Sequence, residues 1–144
     1  MLRQGACRLI GPMAPTARHN GRPGVPKPWG WEMLWTLTPR YAGKILYIRR
    51  GQQISLQYHR EKEESFFVRS GRLIFVLEDR RGDLRELWLE AGDSQHVPAG
   101  RLHRVIALED SEVLEVSTPE IDDVERVDDL HLRRPDPGLH SSAY

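Results

Sequence analysis

At 144 residues, with 39% apolar and 29% charged side chains, the chain has the balance of one folded domain rather than of a disordered polymer. Its 21 basic and 21 acidic residues cancel, so bulk charge recommends neither nucleic acid nor an anionic membrane as a partner. No apolar run approaches the ~18 residues of a membrane span, and a single cysteine, Cys7, leaves no disulfide framework and no cysteine metal cluster.

Arg3, Arg8, Arg18, Arg22 and Lys27 all precede the first carboxylate, Glu32. Gly and Pro residues in that stretch oppose the amphipathic helix of a transit peptide, and no apolar segment followed by small residues marks secretion. Residues 1–26 are therefore expected to be a disordered leader, with the cytoplasm as the default location. GRPGVPKP (21–28) is an extended, irregular lead-in. Residues 31–37 have room for one helical turn, and the rest of the domain reads as β.

KILYI (44–48), ISLQYH (54–59), ESFFV (64–68), RLIFVLE (72–78), LRELWLE (84–90), HRVIAL (103–108) and EVLEVS (112–117) are short and rich in β-branched and aromatic residues. Ser70-Gly71 suits a tight hairpin in which Gly71 takes φ > 0, Gly82 serves a longer hairpin loop, and Pro98-Ala99-Gly100 is a turn. Many short strands at regular spacing predict a sandwich or a barrel. KILYI and RLIFVLE are apolar on both faces, so both faces must be covered, as in a double-sheet jelly roll or a close dimer. A tail of residues 130–144, rich in Pro and Ser, is expected to be flexible.

Side chains two apart on a strand share a face, so Ser55, Gln57 and His59 point one way. Glu64 follows the charged turn formed by Arg60, Glu61, Lys62 and Glu63, which is expected to be solvated. A second turn-bounded segment carries His103 just past Pro98 and Gly100. An amide oxygen, two imidazoles and one carboxylate suit a divalent ion, zinc ahead of manganese, iron, cobalt or nickel. Taken singly, each histidine reads as a hydrogen-bonded or exposed residue and Glu64 as a solvated charge; the joint spacing points to a common centre. His96 receives no role.

The two blocks, Gly51 through Gln57, His59 and Glu64 to Gly71, and Gly92 through Pro98 and Gly100 to His103, resemble the paired motifs of the cupin superfamily, with glutamine where many members have a first histidine. That resemblance implies a single-domain jelly-roll β-barrel, a double-stranded β-helix, over residues 27–129. It also implies Gln57, His59, Glu64 and His103 as the metal ligands. KPWGWE (27–32), SLQYHREKEESFFVRSG (55–71), VPAGRLHRV (97–105) and LEVSTPEIDDVERVDD (114–129) are similar to the cupin domain of type II mannose-6-phosphate (phosphomannose) isomerases. In many relatives that domain follows a guanylyltransferase domain; this sequence contains none, so nucleotidyl transfer is not expected.

The resemblance implies interconversion of mannose 6-phosphate and fructose 6-phosphate, a proton transfer through an enediol. Lys44 and Glu115 are candidate bases, and Arg104 is a candidate for steadying the enediolate or the phosphate, each weighed against a surface or structural role. Strand parity permits Lys44 an inward position and turns Arg104 away from His103. Two other readings stand beside the isomerase. One is a non-haem iron dioxygenase using His59, Glu64 and His103 alone. The other is a non-catalytic module that binds a sugar or nucleotide sugar. Trp29, Trp31 and Trp35 near the start of the domain suit a homodimer contact or the closure of one barrel end.

Overall fold

Strand-forming residues meet in two antiparallel sheets whose inner faces share one core. In a computed structural model of the chain, residues 18–19 and 22–128 are described. In chain order the strands are β1 (Arg18–His19), β2 (Arg22–Pro23), β3 (Val25–Lys27), β4 (Gly30–Leu37), β5 (Ala42–Ile48), β6 (Leu56–Tyr58), β7 (Glu64–Ser70), β8 (Arg72–Glu78), β9 (Leu84–Glu90), β10 (Ser94–Val97), β11 (His103–Ala107), β12 (Ser111–Ser117) and β13 (Glu125–Asp128). The six-stranded sheet runs β10-β7-β12-β5-β4-β3 and the five-stranded sheet β13-β6-β11-β8-β9. The chain crosses between the sheets after β5, β6, β7, β9, β10, β11 and β12, which winds it into the jelly-roll, double-stranded β-helix form. No helix among the described residues is long and apolar enough to cross a membrane.

Alternation builds the core. In β11 and β12 every second residue is buried, so Val105, Ala107 and Val113 face the same interior as Leu46, Ile48, Val68, Leu73 and Phe75. Phe66 and Phe75 meet edge-on with ring centroids 5.2 Å apart. Gly71 closes the β7–β8 hairpin at φ 87°, and a Cβ there would collide with Ser111 Oγ and the Asp110 carbonyl.

Residues 31–37 form a strand rather than a helical turn. Trp31, Met33 and Trp35 alternate with Glu32, Leu34 and Thr36, and β4 pairs along β5 with a register shift between Leu34 and Thr36. Gly43 makes this possible, because the Trp35 indole lies where a Cβ would stand. Trp29 is in the core, Trp31 stacks on Tyr47 at 5.6 Å, and Trp35 is exposed. Two of the three tryptophans are therefore accounted for inside the chain. Strand pairing also reaches into the expected leader, since β1 pairs with β2 and Val25 and Pro26 pair with β4. The expected tail and the leader up to residue 17 lie outside the described residues.

Candidate metal centre

β6, β7 and β11 bring the two sequence blocks together at one end of the barrel. His59 follows β6, Glu64 opens β7 and His103 opens β11, where it pairs in register with Gln57. The Gly100 amide donates to the His59 carbonyl at 2.6 Å, tying the Pro98–Gly100 turn to the first block. Glu64 Oε1 lies 3.0 Å from His59 Nε2 and 2.8 Å from His103 Nε2. One ligand atom from each of the three residues falls within 4.8 Å of the others, and all three side chains are buried. Phe66 and Phe75 flank His103, with the Phe75 ring stacked 6.3 Å from the imidazole.

Backbone carbonyls set the tautomers. His59 Nδ1 meets the Asp123 carbonyl, and His103 Nδ1 lies 2.9 Å from the Arg101 carbonyl. A carbonyl only accepts, so each Nδ1 donates to it and each Nε2 is the ring nitrogen that faces the Glu64 carboxylate. Two ring nitrogens converging on one carboxylate oxygen form an arrangement that a proton or a cation between them completes. His103 Nε2 is fully buried and, despite its 2.8 Å approach, makes no hydrogen bond of proper geometry. The donor set and this orphaned nitrogen fit a divalent ion held by two imidazoles and a carboxylate.

Gln57 stands beside the three but is differently engaged, since its Oε1 accepts from Ser55 Oγ at 3.1 Å. The shared inward face expected for Ser55, Gln57 and His59 is thus seen directly. A cavity of about 500 Å³ opens above the centre, lined by His59, His103, Gln57, Lys44, Lys62 and Glu115 among others. Glu64 is not on that wall. Arg104 borders the cavity; its Nη1 donates to Gln53 Oε1 at 3.2 Å, and alternation along β11 turns it away from His103. Lys44 and Glu115 are cross-strand partners, and Lys44 Nζ lies 3.9 Å from Glu32 Oε1.

Lys62 corrects the sequence reading. Arg60, Glu61 and Glu63 are exposed as expected of a solvated turn, but Lys62 is 3% exposed. Its Nζ sits 2.5 Å from Glu64 Oε2 and 2.8 Å from Glu115 Oε1. Burial alone would lower its pKa, but the charges of Glu115 and Glu64 outweigh that and raise it. Burial would raise Glu64, yet His103, His59 and Lys62 hold it well below the usual carboxylate range. For Glu115, burial and the nearby Glu64 charge prevail over Lys62 and Lys44, and its carboxyl is pushed up. Two carboxylates share one buried cation, and Glu115 bears the strain of that arrangement.

Asp123 is the second residue that sequence reasoning missed. Its carboxylate accepts the backbone amides of Arg60 at 3.0 Å, Glu61 at 2.7 Å and Lys62 at 2.9 Å, while its own carbonyl takes His59 Nδ1. One residue therefore pins both the His59 ring and the turn that turns Lys62 inward.

Residues 44–118 match the Cupin domain family. The chain belongs to the cupin family. Its sequence is 30% identical over 120 residues to the alginate biosynthesis protein AlgA of Pseudomonas aeruginosa, covering 80% of this cupin and 24% of that protein. The cupin thus spans about a quarter of this curated relative. Among solved structures, KdgF from Halomonas sp. superposes with a TM-score of 0.59 at 24% identity, over 67% of this chain and 86% of that one. CapF, the capsular polysaccharide assembling protein of Staphylococcus aureus, gives a TM-score of 0.62 at 18% identity, over 74% and 34%. Bacillus subtilis oxalate decarboxylase gives 0.58 at 16%, over 67% and 27%. At these identities the structures speak for the fold.

Proposed function

We propose that this cupin is a metal-dependent sugar-phosphate isomerase of the mannose 6-phosphate/fructose 6-phosphate type. The observation that carries the proposal is the convergence of His59, His103, Lys44 and Glu115 on one cavity of about 500 Å³, within the size range of small-ligand sites, with Glu64 buried against the two histidines. The motif resemblance to type II phosphomannose isomerases supports the substrate, as does similarity to a protein of alginate biosynthesis. His59, Glu64 and His103 would hold the ion, with Gln57 as a fourth ligand on release from Ser55, and zinc is the proposed occupant.

When bound, the ion supplies charge stabilisation for the oxygen of a polarised carbonyl. The chain's own residues account for the proton. Isomerisation moves a proton from one carbon to its neighbour, so the base must have a pKa near the working pH. Burial and the Glu64 charge push the Glu115 carboxyl up, in the direction that demand requires. Lys44, its cross-strand neighbour, presents an ammonium to the same cavity and can stabilise developing negative charge or bind the phosphate. Against the cost of burial, His103, His59 and Lys62 together keep Glu64 charged. The buried floor of Phe66 and Phe75 lowers the local dielectric and strengthens each of these interactions.

The test is direct: zinc-loaded full-length protein interconverts mannose 6-phosphate and fructose 6-phosphate, and Glu115→Gln loses that turnover. Absence of interconversion in the loaded wild type would refute the isomerase reading. One observation favours a second reading. Ser55 occupies Gln57 Oε1, leaving two histidines and one carboxylate, the ligand set of non-haem iron oxygen chemistry. Iron in the purified protein together with oxygen consumption would select it, whereas a melting temperature raised by sugar or nucleotide sugar without turnover would select a binding module. The proposed assembly is a homodimer, to be checked by light scattering.

A further inference from the structure

Lys62 occupies a place that neither its charge nor its sequence context explains. A lysine in a run of charged residues ordinarily extends into water, because burying an ammonium is unfavourable unless partners replace its hydration. Here the backbone forces it inward: the amides of Arg60, Glu61 and Lys62 all turn to the Asp123 carboxylate, which leaves the Lys62 side chain beneath the turn. Its Nζ reaches two carboxylates, Glu64 Oε2 at 2.5 Å and Glu115 Oε1 at 2.8 Å. The opposite oxygen of Glu64, Oε1, is the one that faces His59 and His103.

We infer that Lys62 is the positioning residue of the metal centre, occupying Glu64 Oε2 so that Glu64 offers one oxygen, Oε1, to an ion between the two histidines. The inference rests on the metal-centre reading above. Three consequences follow from the geometry. Glu64 would hold the ion through a single oxygen, because a chelating carboxylate would have to surrender its bond to Lys62. Its charge is partly neutralised, so Glu64 can stay buried close to Glu115, which lines the cavity. The ion's coordination positions left by two imidazoles and one oxygen then remain available to Gln57, water or substrate, the open site that a catalytic centre requires. Lys62 thereby also links the ligand Glu64 to the proposed base Glu115 through one ammonium.

Full-length wild type, Lys62→Met, Lys62→Arg and Glu115→Gln are to be titrated with Zn²⁺ against a chromophoric chelator, and the d–d spectrum recorded with Co²⁺. Loss of an outer-shell partner typically weakens metal affinity about 10–100-fold, and that loss is expected for Lys62→Met. Its Co²⁺ bands should weaken and shift as Glu64 becomes free to chelate and raises the coordination number. Glu115→Gln leaves Lys62 on Glu64 and should keep the wild-type spectrum. Wild-type affinity and spectrum in Lys62→Met would overturn the inference. Lys62→Arg can still pair with Glu64 Oε2 and should stay nearer the wild type than Lys62→Met; if Lys62→Met does not fold, Lys62→Gln, shorter and uncharged, takes its place, a changed spectrum supporting the inference and an unchanged one overturning it. A wild type that binds neither ion would overturn the centre itself and this inference with it, an outcome distinct from a variant that binds as well as the wild type.

Discussion

The two ends of the barrel interior are built by the same strands and obey the same alternation, yet they are filled by opposite chemistry. At one end Ile48, Val68, Leu73, Ala107 and Val113 are each at most 1% exposed and pack as an apolar plug. At the other, reached by moving along β5, β7, β11 and β12, the inward positions are Lys44, Glu64, His103 and Glu115. The first end stabilises by burial of apolar area, at roughly 25 cal/mol per Å². The second has charged groups to desolvate, and replacing such groups by well-packed apolar residues is often neutral or stabilising. A fold that needed only stability would repeat the first end at the second. The contrast locates function by where the same framework departs from its cheapest filling.

The largest expected effect breaks the apolar end. Leu73→Ala should cost about 2–5 kcal/mol by urea denaturation, through lost burial and the cavity left behind. The metal affinity of the molecules that remain folded should not change, because Leu73 belongs to the plug and not to the centre. Coupled loss of both would show the two ends to be one unit. The next effect sharpens the polar end. A divalent ion at 100 times its Kd should raise wild-type stability by about 2.7 kcal/mol and should not raise that of His103→Ala. Thermal melts with and without the ion read this out, and equal shifts in the two proteins would remove His103 from the centre.

The two ends were also unequally legible in the sequence. The plug announces itself through β-branched and aromatic runs, and residues 72–78 and 84–90 have the bounds expected of them. The candidate ligands were legible through spacing, since period two places Gln57 and His59 on one face and the turn returns Glu64. Lys62 was not legible. Its burial depends on Asp123, which is 61 positions away for the Lys62 amide bond, and no local pattern distinguishes a lysine drawn inward from three solvated neighbours. β13 was hidden for a related reason: Glu125, Arg126 and Asp128 form a charged edge strand whose pairing with β6 is set by the barrel. β4 carried a usable signal, because Trp31, Met33 and Trp35 recur at period two, but Glu32, Met33 and Leu34 are also good helix formers and left room for a helical turn.

The smallest effect concerns the strut between the charged turn and the centre, and it carries its own pH signature. Asp123→Ala removes the acceptor of three backbone amides and should cost about 1–2 kcal/mol at pH 7, the scale of a lost backbone cap. Burial alone would raise the Asp123 carboxyl, but the amides of Lys62, Glu61 and Arg60, with His59 nearby, hold it below 3.8. A folded-state pKa below the unfolded one means that the carboxylate's contribution is fully present above about 3.8 and is lost as the pH falls through the lower folded value. The stability gap between wild type and Asp123→Ala should therefore be constant from pH 7 to about 5 and close progressively below 3.8. Urea denaturation across that range measures it. Lys62 should respond with it, since a turn released from Asp123 lets the ammonium leave Glu64, and Asp123→Ala should bind the ion more weakly than the wild type at pH 7. A variant with the full stability loss and unchanged ion affinity would separate the strut from the centre and show that Glu64 and Glu115 alone suffice to hold Lys62 inside.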